Sequence, residues 1–490
     1  MILLLSVAPI LILICLLLIL RVPLVKAAPI GLLTALILST QVWNLPVAAV
    51  FSILMKGTLL TIDIALIVFG AISFIEFLKQ SDAFESLRDQ LNLLTNQRPV
   101  QVIMIAWLFG SFIEGVSGFG TSAVIVAPFL VSIGIRKRDA IIISLVANST
   151  AVTFGAVGTP IRIGLSDFVS SGLNTTVANA HLMAGLVVPF LILYFIMRLE
   201  DQPWAKFLKA IPWTVFLGFC FLVPYAFSAH LGPDYPSIAG GTLGLILAVL
   251  VLHSGFIKSK GSLKKSSLLD LTRAFKPYLL LLLILIVGKV LFKNWTVLFE
   301  LGHGLKHNLQ VFNPGMAFIT TMAFMTLLQS KTSKGFFHSL NLASKMLFKV
   351  SLTIFCISSM TYAMVLTDMN PLTTGMLETI SNQILGPFLS YYAVFIGAFG
   401  AFLAGSATVS NLLFGQVLAQ AAQNYDLSLT AVLALQVSGA AIGNMIALTN
   451  IIAVQAAVGE ENTERELLMV LFLPCMIYLV LVSIVINSWL

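Results

Sequence analysis

The chain has 490 residues, 59% of them hydrophobic and only 10% charged, with a mean hydropathy of +1.02. Soluble globular chains carry roughly 45–50% apolar and about 25% charged residues, so this composition cannot cover a water-facing surface and leaves no stretch for a large soluble domain. The net charge of +7 reports membrane topology before it reports an acidic partner, and no nucleic-acid partner is implied.

Apolar runs of the length a bilayer demands, roughly 20 residues, fall at 1–21, 27–44, 56–79, 139–164, 178–198, 210–230, 237–256, 276–292, 314–330, 345–367, 428–457 and 464–489. They predict an all-α polytopic membrane protein with about twelve transmembrane helices. The first run lacks a basic leader and is read as a retained span. Two further stretches, 100–134 and 389–424, are broken at their centres by glycine and small polar residues, and read as paired half-helices forming re-entrant hairpins. Cys15, Cys220, Cys356 and Cys475 sit in apolar runs with neither metal spacing nor a disulfide framework, and are expected to be buried thiols.

An outside N-terminus places Arg21, Lys26, Lys79, Arg88, Arg98, Arg136, Lys137, Arg138, Arg198, Lys206, Lys209, the six basic residues of 258–276, Lys331, Lys334, Lys345, Lys349 and Arg465 in the cytoplasm, 22 of the 27. The outer loops at 165–177, 231–236, 368–388 and 425–427 contain none, which is the asymmetry of the positive-inside rule. Twelve crossings return the C-terminus to the outside.

A shift of 290 residues lays Gly110-Ser111-Phe112-Ile113-Glu114-Gly115 on Gly400-Ala401-Phe402-Leu403-Ala404-Gly405, and Leu145, Ala151, Thr159 and Ile161 on Leu435, Ala441, Thr449 and Ile451. The flanking charges make the first hairpin enter from the cytoplasm and the second from outside. The expected organisation is therefore one unit at 1–200, two linking spans and a basic loop at 201–272, and an inverted second unit at 273–490. Inverted repeats around a midplane site are a transporter architecture.

The broken stretches, GSFIEGVSGFGTSAVIVAPFL at 110–130 and GAFLAGSATVSNLLFG at 400–415, carry the chemistry. Backbone that leaves the helix at membrane depth must find partners in protein or in a water-filled cavity. Half-helix N-termini there attract an anion, while freed carbonyls can hold a cation; small-residue helix packing is the competing reading. Each following span repeats a polar interruption, ANSTAVTFGAVGTP at 147–160 and SGAAIGNMIALTN at 438–450. Candidate substrate contacts are Gly115, Gly118, Gly120, Thr121, Ser122, Asn148, Ser149, Thr150 and Thr159 from the first set, and Gly405, Ser406, Thr408, Ser410, Asn411, Asn444, Thr449 and Asn450 from the second. Pro160 adds a kink.

Glu114 lies just before the first glycine-rich tip, and an ionisable group inside the membrane marks function by default. Burial favours the neutral form of a carboxyl group, which makes Glu114 the first candidate to carry a proton; the alternative is a carboxyl that only bonds the tip backbone. Asp63 is the second candidate, with Lys56 seven residues earlier as a partner on the same helix face. Arg162 reads as a residue that snorkels to the outer interface. His303 and His307, spaced i, i+4, read as a surface helix face.

At these motifs the chain resembles the lactate permease family of bacterial transporters. The matching text is GSFIEG with GFGT and AP at 110–128, the NST-AV-FGA-GTP segment at 148–160, GS-TVSNLLFG at 405–415 and GNMIALTNIIAV at 443–454. The resemblance implies import of L-lactate, D-lactate and glycolate by proton symport across the bacterial inner membrane. It also implies that Glu114, Gly115, Gly118, Gly120, Thr121, Ser406, Thr408, Ser410, Asn411, Asn444 and Asn450 line or shape the transport site, in a fold similar to ion transporters whose paired hairpins ride in a moving, elevator-like domain. The expected partners are a small monocarboxylate, a proton and the lipid bilayer, with a homodimer left open. No cofactor or metal is expected. Sodium-coupled uptake of another organic anion and an anion channel remain the alternatives. A membrane enzyme finds no HExxH, paired aspartate-rich or GxxxxGK[ST] motif to rest on.

Overall fold

The structure, a computed structural model, describes residues 1–80, 97–118, 120–199, 204–253, 268–292, 295–328, 333–368 and 374–490. Arg88, Phe119, Lys258, Lys260, Lys264, Lys265 and Lys331 lie outside the described residues.

Three helices open the chain, α1 (Ile2–Leu18), α2 (Leu24–Gln41) and the 34-residue α3 (Val47–Gln80). At 1.5 Å per residue α3 is about 50 Å long, so it must tilt or project beyond a hydrocarbon core of about 30 Å. The first broken stretch follows as α4 (Arg98–Ser117), with a π-helical segment at Met104–Phe109, and α5 (Thr121–Ser132). The next span is itself divided, into α6 (Lys137–Asn148) and α7 (Gly155–Arg162), bent by 52° across a 3-10 turn at Ala151–Phe154. Then come α8 (Ser171–Ala184), α9 (Val187–Leu199), α10 (Trp204–Ser228), α11 (Pro236–His253) and α12 (Leu268–Phe292).

An antiparallel hairpin, β1 (Thr296–Gly302) and β2 (Leu305–Gln310), precedes α13 (Pro314–Leu328) and the 35-residue α14 (Ser333–Thr367). The short helix α15 (Met376–Ile384) turns by 120° into α16 (Leu389–Ala404), the first arm of the second broken stretch, and α17 (Ala407–Asn424) is its other arm. The chain closes with α18 (Leu429–Gly443), a 3-10 turn at Asn444–Ile446, α19 (Leu448–Val458) and α20 (Glu464–Asn487).

Helix dominates because apolar segments in lipid must satisfy every backbone group internally. Among the described residues nine helices are long and apolar enough to cross a membrane, eleven if each bent pair counts as one span. This is a multi-pass membrane protein. The long helices α3 and α14 lie along one another, with α13 on the α3 side and α2 on the α14 side. Glycines let these backbones touch: Gly57 faces Ser359 and Gly70 faces Gly315, the small-residue contact that substitutes for hydrophobic drive within lipid. The two broken stretches pack with α6–α9 and α18–α20 in a second body, where α11 lies on α4 and Gly115 and Gly241 admit the opposing backbones of Ile238 and Phe112.

Several expectations are corrected. The arms of hairpin 100–134 are unequal, twenty residues in Arg98–Ser117 against twelve in Thr121–Ser132, rather than matched half-helices. His303 and His307 are not on a helix: His303 forms the turn of the β-hairpin between Gly302 and Gly304, and His307 lies in β2. The loop 368–388 contains α15, whose Met376, Leu377 and Ile380 are buried. Cys15 is exposed, whereas Cys220, Cys356 and Cys475 are buried free thiols.

Candidate functional site

The two broken stretches meet tip to tip. Gly118 (φ 63°, ψ −164°) and Gly120 (φ 72°) reverse the chain between α4 and α5, and Gly405 (φ 66°) does so between α16 and α17. These are backbone conformations that glycine alone adopts at low cost. Asn450, near the start of α19, lies between the tips: its amide oxygen is 3.1 Å from where a Gly120 side chain would begin and 3.5 Å from the same point on Gly405. Its Nδ2 donates to Asn444 O at 3.1 Å and Asn444 Oδ1 at 2.8 Å, which ties α19 to the 3-10 turn before it. Thr449 sits against Gly405.

Opposite them the break in the first divided span forms a left-handed turn, with Ala156, Val157 and Gly158 at φ 42°, 55° and 74°. Two consecutive non-glycine residues in that region store roughly 1–2 kcal/mol each. The hydroxyl of Thr159 donates to Ala156 O within the turn, so Thr159 holds the bend, and the bend lies in this turn and the preceding 3-10 segment, N-terminal to Pro160.

Between these elements is a narrow cleft, its cavity volume about 10 Å³, lined by Glu114, Gly118, Val152, Gly155, Ala156, Pro160, Ser406, Ala407, Thr408 and Asn444. Ser406 caps α17, its Oγ accepting from Val409 N at 3.4 Å. The first N–H groups of a helix have no intrahelical partner and carry its positive end, and here Ala407 and Thr408 supply them at the cavity wall. Glu114 is fully buried. Its Oε1 accepts from Gly120 N at 3.5 Å, while Oε2 has no hydrogen-bond partner among the described residues. Ser122 Oγ beside it donates to Asn148 Oδ1 at 2.5 Å. In this conformation the cleft has room for about one water molecule; its lining sets one acidic group against a helix N-terminus and hydroxyl and amide side chains, groups chemically matched to a small anion and a proton.

The structure brings Glu114, Gly118, Ser406, Thr408 and Asn444 to this cavity, with Gly120, Ser122, Asn148, Gly405, Thr449 and Asn450 directly behind. Other candidates have different partners. Gly115 is a packing position against Ile238. Thr121 Oγ1 donates to Gly118 O at 2.7 Å and Ser149 Oγ to Val146 O at 2.7 Å. Thr150 joins a buried network, with Tyr478 OH 2.9 Å from its Oγ1, His181 Nδ1 2.6 Å from that hydroxyl, and Thr153 Oγ1 2.9 Å from His181 Nε2. Ser410 Oγ donates to Gly397 O at 2.8 Å between the arms of the second hairpin, and Asn411 Nδ2 donates to Pro160 O at 2.8 Å, joining that hairpin to α7.

Comparison with known proteins identifies the group to which these elements belong. The family model described as L-lactate permease matches residues 3–301 and 303–489. The chain belongs to the L-lactate permease family. A Haemophilus influenzae protein provisionally named an L-lactate permease is 29% identical over 465 aligned residues, covering 84% of each chain. The glycolate permease GlcA of Escherichia coli is 24% identical, with 90% of this chain and 87% of that protein aligned. An L-lactate permease of Halalkalibacterium halodurans is 23% identical, covering 94% and 91%. Membership makes the chain a transporter.

In this permease the remaining charged candidates line a separate region under the β-hairpin. Asp63 is buried there, not at the hairpin tips, with His307 Nε2 3.1 Å from Oδ2 and Asn313 Nδ2 donating to its Oδ1 at 3.3 Å and its backbone oxygen at 3.0 Å. Lys56 is not its ion partner: Lys56 Nζ donates to Asp167 Oδ1 at 3.2 Å and to Lys306 O at 2.5 Å. Asp167 also accepts from Tyr362 OH at 2.7 Å and Gln416 Nε2 at 2.9 Å, linking α3, α14 and α17. Arg162 does not snorkel; its side chain is 12% exposed and pairs with Asp234 at 3.0 Å. Burial pushes the Asp234 carboxyl up, but Lys289, 2.5 Å away, and Arg162 outweigh it and hold the group below the usual carboxylate range. None of Asp167, Asp234 or the β-hairpin stood out in the sequence. Among the described residues no group of three His, Cys, Asp or Glu is placed to hold a metal ion.

Proposed function

We propose that this permease imports L-lactate, and with it D-lactate and glycolate, across the bacterial inner membrane in symport with one proton. The observation that carries the reading is Glu114: a fully buried carboxyl group with one oxygen unpartnered among the described residues, in the cleft where two broken helices meet. A 2-hydroxy-monocarboxylate suits that cavity chemically. Its carboxylate matches the N-terminus of α17, its hydroxyl matches Thr408, Ser406 and Asn444, and Glu114 supplies the proton site. Electroneutral symport also avoids the cost of about 2.3 kcal/mol per 100 mV for moving a lone anion inward against an inside-negative potential.

An inverted repeat with hairpins entering from opposite sides, both termini outside, and an elevator-like movement of the hairpin body along α3 and α14 complete the proposal. Its support is the order of elements under the 290-residue shift. α2 corresponds to α13, α3 to α14, the α4–α5 break to the α16–α17 break, and the divided span α6–α7 to α18–α19, each with a 3-10 turn at its division. The test is uptake of labelled L-lactate by purified protein in proteoliposomes, with unlabelled D-lactate, glycolate and a larger dicarboxylate as competitors, at several pH values with and without sodium. Uptake driven by an inward proton gradient, competed by the first two only and indifferent to sodium, is expected. Sodium-dependent uptake, or no uptake of lactate, overturns the reading.

A further inference from the structure

Beneath the β-hairpin the protein holds two open cavities that share one wall. One, of about 270 Å³, is lined by Arg162, Asp234, Tyr235, Leu285, Lys289, Phe292, Gln310, Phe312 and Pro314; the other, of about 400 Å³, includes Lys56, Asp63, Asp167 and Lys306. Arg162 and Gln310 line both. In the first cavity two cations, Arg162 and Lys289, share the single carboxylate of Asp234, so its described lining carries one surplus positive charge. A charge withdrawn from water without a full partner is unfavourable and invites a counter-ion. The guanidinium uses Nη1 on Asp234, and among the described residues four of its five N–H donors remain for another acceptor. The rest of the lining is largely apolar: Phe292 and Phe312 stack 5.9 Å apart, and Leu285 and Phe292 flank Lys289 on one face of α12. Cationic groups set among apolar and aromatic side chains suit a small carboxylate with a short hydrocarbon tail.

We propose that this cavity is a staging site for a monocarboxylate, with Arg162 as the carboxylate ligand in competition with Asp234. The inference rests on the transport reading above and extends it to a second site on the route. α7 connects the two: Pro160 lines the Glu114 cavity and Arg162 lines the staging site, about 3 Å apart along the helix axis. Lys289 supplies the surplus charge that draws the anion in, and Asp234 takes over the guanidinium when the anion moves on. Release of substrate from Arg162 therefore returns the guanidinium to its Asp234 pairing.

The experiment uses full-length protein in proteoliposomes and labelled L-lactate as the probe, read both as equilibrium binding and as initial uptake at several ionic strengths. Clefts of one charge sign raise the local concentration and capture rate of a counter-ion by about 10- to 1,000-fold. Arg162→Gln is accordingly expected to raise the half-saturating lactate concentration about tenfold or more and to flatten the dependence of uptake on ionic strength. Asp234→Asn is expected to act in the opposite direction, tightening lactate binding, an effect that loss of a merely structural ion pair would not produce. Should either variant fail to fold, Lys289→Gln keeps the Arg162–Asp234 pair and removes the surplus charge, and is expected to weaken lactate capture severalfold. Wild-type protein that moves no lactate defeats the transport reading itself. Wild-type transport with Arg162→Gln, or in its place Lys289→Gln, unchanged in half-saturation and ionic-strength dependence defeats the staging site alone.

Discussion

Replacement of Gly118 by alanine tests whether the first hairpin tip is built as described. At φ 63° and ψ −164° the backbone lies in a region populated almost only by glycine, and holding another residue there costs about 1–3 kcal/mol. The added Cβ would lie 2.5 Å from Ala156 Cβ and 2.9 Å from Ala156 N. Ala156 cannot retreat easily, because it begins the left-handed turn that runs through Gly158, and overpacking of this kind adds about 1–3 kcal/mol. The sum, about 2–6 kcal/mol, is a large share of a typical stability of about 5–15 kcal/mol. Thermal unfolding of the purified protein in detergent, paired with lactate uptake, reads both consequences: Gly118→Ala should melt several degrees lower and transport poorly. Gly386→Ala is the control, since a Cβ there meets nothing within 4 Å. If Gly118→Ala melts and transports like that control, the tip geometry is wrong.

Tyr478→Phe removes the hydroxyl that meets both Thr150 and His181; leaving these buried groups short of a partner should destabilise the protein by about 1–3 kcal/mol, measured by the same melting assay. Asn450→Ala breaks the tie to Asn444 and opens space behind both tips, so lactate uptake should fall much further than the melting temperature does. Outside the spans, burial and then the neighbouring Glu378 carboxylate lift the Asp368 carboxyl from 3.8 to about 7, against the backbone N–H groups of Glu378 and Leu377. Between about pH 4 and 7 the folded protein therefore holds a proton that the unfolded chain has released, and stability falls as pH rises through that window. Melting curves of Asp368→Asn should lose that slope, and an unchanged slope would show that another group causes it.

The features carried by chain chemistry were legible in the sequence. Gly118, Gly120 and Gly405 announced the broken helices because glycine clustered with hydroxyls recurred at matching positions of two apolar stretches, and Glu114 stood out as a lone acid among apolar residues. Long-range pairing was not legible. Lys56 and Asp63 share a helix, yet Lys56 finds its partner 111 residues away in Asp167. Arg162 looked like a snorkelling residue because Asp234, 72 residues on, gave no signal of its own. Thr150 lies in the same polar run as Asn148, but helical periodicity does not say which neighbour a side chain will meet, and Tyr478 claims it. The β-hairpin had a signal that the spacing of His303 and His307 obscured: Gly302 and Gly304 flank the turn, and burial alternates along the first four residues of β2.

The central claim is that a monocarboxylate and a proton pass together through the cavity at the hairpin tips, with Glu114 carrying the proton. The most direct measurement is lumenal pH in proteoliposomes holding a trapped pH dye, after lactate is added outside, for wild-type protein and for the near-isosteric Glu114→Gln. Lactate-dependent acidification of the lumen by the wild type, abolished in Glu114→Gln, is expected. Lactate uptake by the wild type without a pH change, or acidification that persists in Glu114→Gln, would contradict the claim.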